Sequence, residues 1–222
     1  MELDPADLSI PDRYKLLIGA IVPRPIALVS TIDTLARPNL APFSFFAGVG
    51  SNPMTLLFCP ANNPDGQEKD SLANAKPTAE GGTGEFVVNV VSDSFARMAV
   101  AASEPLPRGT NEFDAVGLTP APSRVVRPPR VAESLVSFEC RTLQVIRTNP
   151  GAPSGGNIVL GQVVHVHARE SVINHKLHID PAALDAVGRM GGTSYCRTRD
   201  RYDIPLGLAA LAPNPSAPGT AS

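Results

Sequence analysis

Tryptophan is absent from this 222-residue chain, and aromatic residues make up only 5% of it. Cysteine is almost as scarce. Cys59, Cys140 and Cys196 are odd in number, widely spaced and form no CxxC pair. That pattern argues against a disulfide framework and suits reduced, packed thiols in a cytoplasm. Long apolar runs are missing too: the longest, Leu16 to Val22, stops at Pro23 and is far too short to cross a bilayer. The opening residues, MELDPADLSIPD, are acidic where a signal peptide would be basic and then apolar. A cytoplasmic protein is expected.

Neither sign of charge dominates. Nineteen Lys and Arg stand against 21 Asp and Glu, a net charge of −2. The basic stripe of a nucleic-acid-binding protein is therefore missing, and nothing favours an anionic membrane surface. Several chemical signatures are also lacking. There is no GxGxxG after a strand, no GxxxxGK[ST] and no GxSxG elbow, which removes the usual marks of dinucleotide folds, P-loops and serine hydrolases. His165 and His167 would share one side of a strand, and His175 and His178 one helical turn, but no Cys or carboxylate recurs nearby at metal-ligand spacing. Surface or half-buried histidines are expected, and no metal site.

What remains is the composition of an ordinary globular protein, 43% hydrophobic and 18% charged. A chain of this length can bury a sufficient core without disulfides or metals. Residues 1–212 are expected to form one domain, followed by a small, polar, Pro-rich disordered tail, 213–222. Ser9 and Asp12 have capping-box spacing for a helix over Ser9–Val22, with Tyr14, Leu17, Ile18 and Ile21 on one face and Pro23 and Pro25 ending it. Extended runs follow at Ile26–Asp33, Leu40–Ala47 and Met54–Cys59. Asp70 is the expected N-cap of a short helix, Glu85–Val91 is a strand, and a helix begins near Asp93. Glu104–Arg130 is proline-rich and reads as a long surface excursion able to act as a lid. Two long strands, Leu135–Arg147 and Asn157–Glu170, precede a short helix opened by Asp180-Pro181 and closed by Gly188. Strands mostly follow strands, so the predicted fold is mostly β (α+β): an antiparallel barrel or sheet of about six strands with short peripheral helices.

A set of small polar residues at strand ends and one loop carries the chemistry. Ser30 and Thr31 end the first strand. Asn39, Ala41, Pro42 and Ser44 lie on the second, and Lys69-Asp70-Ser71 opens a short helix with Asn74 one turn on. Each has a structural explanation alone: Ser and Thr are common in barrels, Asn39 could shape a turn, and Lys69 could be a solvated charge. Together they suit a phosphorylated planar ligand. A helix start with a hydroxyl and a lysine favours phosphate. An extended strand can pair with the polar edge of a ring, and Pro42 is expected to interrupt the ladder and free edge groups for it.

The runs PRPIALVSTID…RPNLAPFSFFAGVGSNP, EKDSLANA with GEFVVNVV, NEFDAVGLTP…PPRVAESLVSFEC and GRMGGTSYCRTRDRYDIP together resemble the flavin reductase-like family of FMN-binding split β-barrels, particularly its flavoredoxin-like branch. The resemblance covers Tyr14 to Leu208 and is specific as an ordered set. It implies an antiparallel split β-barrel, a homodimer and FMN near the subunit interface. By resemblance, Asn39, Ala41, Pro42 and Ser44 would contact the ring or ribityl chain. Ser30, Thr31, Lys69, Ser71 and Asn74 would hold the ribityl chain and phosphate, and Arg189 would reach the flavin or nicotinamide side. Ser71 stands where this branch often has Thr and keeps the hydroxyl. The implied activity is an NAD(P)H-dependent flavin reductase that passes hydride from NADH or NADPH to FMN, with a monooxygenase or another electron acceptor as partner. No acid–base dyad is then needed, because the cofactor carries the chemistry. The alternative is an FMN electron carrier without a nicotinamide site. A pyridoxamine-phosphate-oxidase-type barrel is disfavoured, because the basic cluster for a substrate phosphate is not evident.

Overall fold

In the computed structural model, which describes residues 1–107 and 109–211, strands carry the architecture. The expected disordered tail, 213–222, lies outside the described residues. Helix α1 (Ile10–Ala20) starts at Ser9, whose hydroxyl accepts from the Asp12 amide at 3.3 Å. Then come β1 (Arg24–Pro25), β2 (Ala27–Ile32), β3 (Pro38–Phe43), β4 (Phe46–Ser51) and β5 (Met54–Phe58). Helix α2 (Asp70–Ala75) precedes β6 (Glu85–Val90), and α3 (Ala96–Ala101) follows it after a 3-10 turn, Asp93–Phe95. Helix α4 (Glu112–Val116) and the ribbon β7 (Pro120–Ala121) with β8 (Arg130–Val131) come next. Long strands β9 (Val136–Arg147) and β10 (Asn157–Ala168), helix α5 (Pro181–Leu184), β11 (Val187–Arg189) and β12 (Tyr195–Arg197) complete the order.

The main sheet is antiparallel, in the order β3-β2-β6-β9-β10-β5-β4. Its two edge strands, β3 and β4, are consecutive in the chain with only Ser44 and Phe45 between them. A sheet whose opposite edges are joined by two residues must curl until those edges meet, because two residues span at most about 7 Å. This is a split barrel, as predicted, with seven strands in its main sheet rather than about six. Its interior packs Ala27, Val29, Phe43, Phe58, Phe86, Val88 and Cys140 against Leu72 and Ala75 of α2. The other face of β2 and β3 packs Leu28 and Leu40 against Phe95 and Ala99 on the α3 side and Phe113 of α4. Covered on both faces, all six residues of β2 are buried, which explains a run without alternation.

Gly161 of β10 lies over the buried Phe86 ring. A methyl group there would come within 2.7 Å of Phe86 Cε1 and closer still to Cζ. Gly161→Ala is expected to cost about 1–3 kcal/mol, because a fully buried ring at native packing density has nowhere to go. Urea denaturation checks it; an unchanged midpoint would show that the barrel interior yields more readily than its packing implies.

Several sequence expectations are corrected. The apolar face of α1 is not a core face: only Ile18 is buried, while Tyr14, Leu17 and Ile21 are each about half exposed. The run Leu40–Ala47 is not one strand. It bends at Ser44–Phe45 and supplies parts of both edges. Lys69, not Asp70, is the N-cap of α2. The segment Glu104–Arg130 is more than a surface excursion, since it carries α4 and buries Phe113, Leu118 and Val126. Finally, α5 ends at Asp185, with φ +46°, and Gly188 lies inside β11.

Candidate functional site

The β2–β3 pair decides where each candidate side chain goes. Register runs unbroken from Ala27 opposite Phe43 to Ile32 opposite Pro38, so Thr31 faces Asn39 and Ser30 faces Leu40. Side chains alternate between faces. Thr31, Asn39 and Ala41 therefore share the interior side with Val29 and Phe43, while Ser30, Pro42 and Ser44 share the outer side with Leu28 and Leu40. The predicted residues form two groups on the two sides of one strand edge.

The interior group is a closed polar cluster. Asn39 Nδ2 donates to Ser71 Oγ at 3.0 Å and to Thr31 Oγ1 at 3.3 Å, and Asn74 Nδ2 donates to Thr31 Oγ1 at 3.1 Å. All four residues are buried. In these bonds the Thr31 and Ser71 hydroxyls only accept, so each retains a proton able to bind a ligand oxygen. Asn74 is itself held in place, since its carbonyl receives both the amide and the hydroxyl of Thr83 at 2.7 and 3.0 Å. Lys69, the residue just before α2 and two before Ser71, is exposed and has no acid partner among the described residues. Arg37, missed by sequence reasoning, lines the same crevice between β3 and α2, but its guanidinium is paired with Asp33 at 2.6 Å.

Helix α2 has only six residues, too short to be stable on its own hydrogen bonds. Tertiary contacts place it. Leu72 and Ala75 plug the barrel, and a charged clamp grips both ends: Glu68 takes Lys76 at 2.9 Å and Arg147 at 2.8 Å, and Arg147 also takes Glu80 at 2.6 Å. Burial alone would push the Glu68 carboxyl up; the two cations outweigh it and hold it below the usual range. No local pattern in the sequence marks Glu68 or Arg147, which are 79 residues apart.

On the outer side, Ser30 donates to the Pro129 carbonyl and takes no part in the Thr31 cluster. Pro42, Ser44 and Arg189 line one small pocket of about 70 Å³ with Tyr195 and an apolar floor of Ile26 and Val91. Arg189 donates to Tyr195 Oη at 2.7 Å and to the Gly192 carbonyl at 2.9 Å, with its guanidinium 4.8 Å from the Tyr195 ring centre. Its Nε is buried and has no hydrogen-bond partner among the described residues. A buried donor left unpaired costs about 1–3 kcal/mol, so this atom favours a ligand acceptor in the pocket. Ser44 receives Arg24 Nε at 3.2 Å. Arg24, almost fully buried, also ties the Ile18, Ile21 and Met190 carbonyls. Burial pushes its guanidinium down from the usual range. Its place between Pro23 and Pro25 gave no sign of this role.

The edge itself departs from expectation. Pro42 does not interrupt the β2–β3 ladder, because Leu28 pairs with it in register. The Leu40 amide points away from β2 and donates to Glu112 Oε2 at 3.0 Å, so by two-residue alternation positions 38 and 42 also face outward. Both are prolines, which lack an N–H and are tolerated on the outer side of an edge strand. With the only amide of this stretch taken by Glu112, the edge turns carbonyl acceptors outward. Burial pushes the Glu112 carboxyl above its usual range.

Among the described residues, no group of three or more His, Cys, Asp or Glu could hold a metal ion, and no helix is long and apolar enough to cross a membrane. A barrel with a polar cluster at an edge strand and an unpaired buried guanidinium donor suits a polar organic cofactor. The flavin reductase like domain family matches residues 19–185. The chain belongs to that family. An uncharacterised protein of Deinococcus radiodurans is 40% identical over 199 residues, covering 86% of this chain and 83% of that protein. Among solved structures, nitrilotriacetate monooxygenase component B from Bacillus cereus is 29% identical, covers 92% of this chain and 98% of its own, and has a TM-score of 0.84. A split-barrel domain protein from Shewanella frigidimarina, at 22% identity and TM-score 0.77, covers 93% of this chain and 100% of its own and supports the fold. Membership of the flavin reductase-like family gives this chain flavin-linked redox chemistry, the work of an oxidoreductase.

Proposed function

We propose that this chain binds FMN and is an NAD(P)H-dependent flavin reductase that transfers hydride from NADH or NADPH to FMN. The observation that carries the reading is its likeness over nearly its whole length to a nitrilotriacetate monooxygenase component B. The same likeness supports a monooxygenase as the electron acceptor. Bound FMN would supply the hydride acceptor; the residues bind and orient it. Lys69 and the Ser71 and Thr31 hydroxyls suit the phosphate and ribityl chain, with Asn39 and Asn74 fixing those hydroxyls. The outward carbonyls of Leu40 and Pro42 suit the N–H of the flavin pyrimidine ring, with Ala41 between them and Ser44 and Arg189 Nε as further contacts. Ser30, whose hydroxyl is committed to the Pro129 carbonyl, is left out of this set.

A homodimer is part of the proposal. The crevices at these residues measure only about 10, 70 and 130 Å³, whereas pockets that hold a cofactor are several hundred. A second surface is needed to enclose the ring. Tyr14, Leu17 and Ile21 on α1 and Val49 and Met54 on the β4–β5 hairpin are apolar and exposed, as an obligate partner face would be.

Stopped-flow absorbance tests the reading, using FMN-loaded protein from the gel-filtration peak carrying twice the chain mass. Rapid bleaching of the flavin band by NADH or NADPH is expected. No bleaching at millimolar donor would refute the reductase and leave an electron carrier that takes electrons from another protein.

A further inference from the structure

A second cleft lies away from β3 and α2, and its lining shares no residue with the pocket of Pro42, Ser44 and Arg189. It measures about 460 Å³ and opens between the β7–β8 ribbon with the turn after it and the C-terminal end of β10. That volume falls within the range of small-molecule sites. Arg130, Ser134, His167 and Arg169 line it beside Leu135 and Val166, and no acid is among the lining residues.

Both guanidiniums are tethered by one nitrogen and open at the others. Arg130 Nε donates to the Pro122 carbonyl at 3.2 Å, and Arg169 Nη2 donates to the Ala132 carbonyl at 2.6 Å. Neither arginine has an ion-pair partner among the described residues, in contrast to Arg37, Arg127, Arg147, Arg197 and Arg199. His167 is equally fixed. Its Nε2 lies 2.5 Å from Glu139 Oε1, which leaves the other ring nitrogen free for a ligand. The wall that carries Arg130 is anchored from below, because Glu139 also accepts the Arg124, Val125 and Val126 amides and Asn89 accepts the Val131 amide. Two preoriented guanidiniums without an acid, on a rigid wall in a chain of net charge −2, form a local excess of donors and positive charge. A planar fork of N–H groups is matched by carboxylate or phosphate oxygens, and Leu135 and Val166 offer an apolar wall for a small ring or chain.

We propose that this cleft binds a small organic anion, carboxylate or phosphate, through Arg130 and Arg169. The proposal does not depend on FMN binding. Isothermal titration of the purified protein with benzoate and, separately, with inorganic pyrophosphate distinguishes the two sources of oxyanion. Binding of either below about 1 mM is expected, weakened at least about tenfold in Arg130→Gln/Arg169→Gln. Arg169→Glu alone should weaken it comparably; that residue is exposed, so the fold should tolerate the change. Lys69→Ala/Ser71→Ala should leave the titration unaltered. Flat titrations with both anions to about 10 mM would overturn the proposal. So would binding that persists in the arginine variants, or binding lost in the Lys69/Ser71 variant.

Discussion

Lys69→Ala/Ser71→Ala is expected to purify nearly colourless, holding FMN at least about a hundredfold more weakly than the parent chain. Ser71 Oγ is buried and accepts from Asn39, and its proton is still available to donate. The acceptor best placed to use a buried hydroxyl beside a lysine without an acid partner is a phosphate oxygen. Hydrogen bonds to charged groups contribute about 1.5–3 kcal/mol each; losing two gives the stated factor or more. Riboflavin, which has the ring but no phosphate, should bind parent and variant alike. Equilibrium dialysis with both flavins is the check. Equal FMN retention would remove Lys69 and Ser71 from the site, whereas equal losses of FMN and riboflavin would point to a collapsed crevice instead. Leu72 and Ala75 still plug the barrel in the variant, so the circular dichroism spectrum should not change.

Much of this arrangement was legible from sequence because it is local. The β2 and β3 strands, the Ser9 cap, the two long strands and the short helix carrying Ser71 and Asn74 each announce themselves within a few residues. The errors came from contacts between distant segments. Nothing in Tyr14, Leu17 and Ile21 says that their face meets no core of the same chain. In the sequence Pro42 reads as a ladder break, because a sequence does not reveal which side of an edge strand a proline occupies. Glu112, Arg24 and Glu68 were missed for one reason: each works by reaching a partner up to 166 residues away, as Arg24 does at Met190. Such pairings follow from the curl of the sheet, not from any spacing. Residues 104–130 read as a surface loop because their buried groups, Phe113, Leu118 and Val126, are too few and irregular to produce a period.

Acid should expose the Glu139 anchor as an electrostatic contribution to this fold. Glu139 is fully buried in the middle of β9. Burial alone would raise its carboxyl, but the Arg124 amide at 2.7 Å, His167, and the Val125 and Val126 amides at 2.6 and 3.0 Å outweigh that and bring it down to about 2. A carboxyl that binds its proton more weakly in the folded chain than in the unfolded one stabilises the fold whenever it is ionised in both. Its contribution is therefore complete above the ordinary value of 4.5 and fades as the pH falls from there to about 2. At about 1.4 kcal/mol per unit, the amount at stake is about 3 kcal/mol. Urea denaturation of the parent chain and Glu139→Gln at successive pH values should show two differences. At pH 7 the variant should be at least about 3 kcal/mol less stable, since an amide cannot receive three N–H donors and its own N–H₂ would face them. Between pH 5 and pH 2 the parent should lose about 3 kcal/mol that the variant does not. Parallel curves would mean that the carboxylate is no anchor. Because the amides it holds precede Arg130 by only a few residues, loss of the anchor should also loosen that wall of the cleft, and anion binding should weaken together with stability.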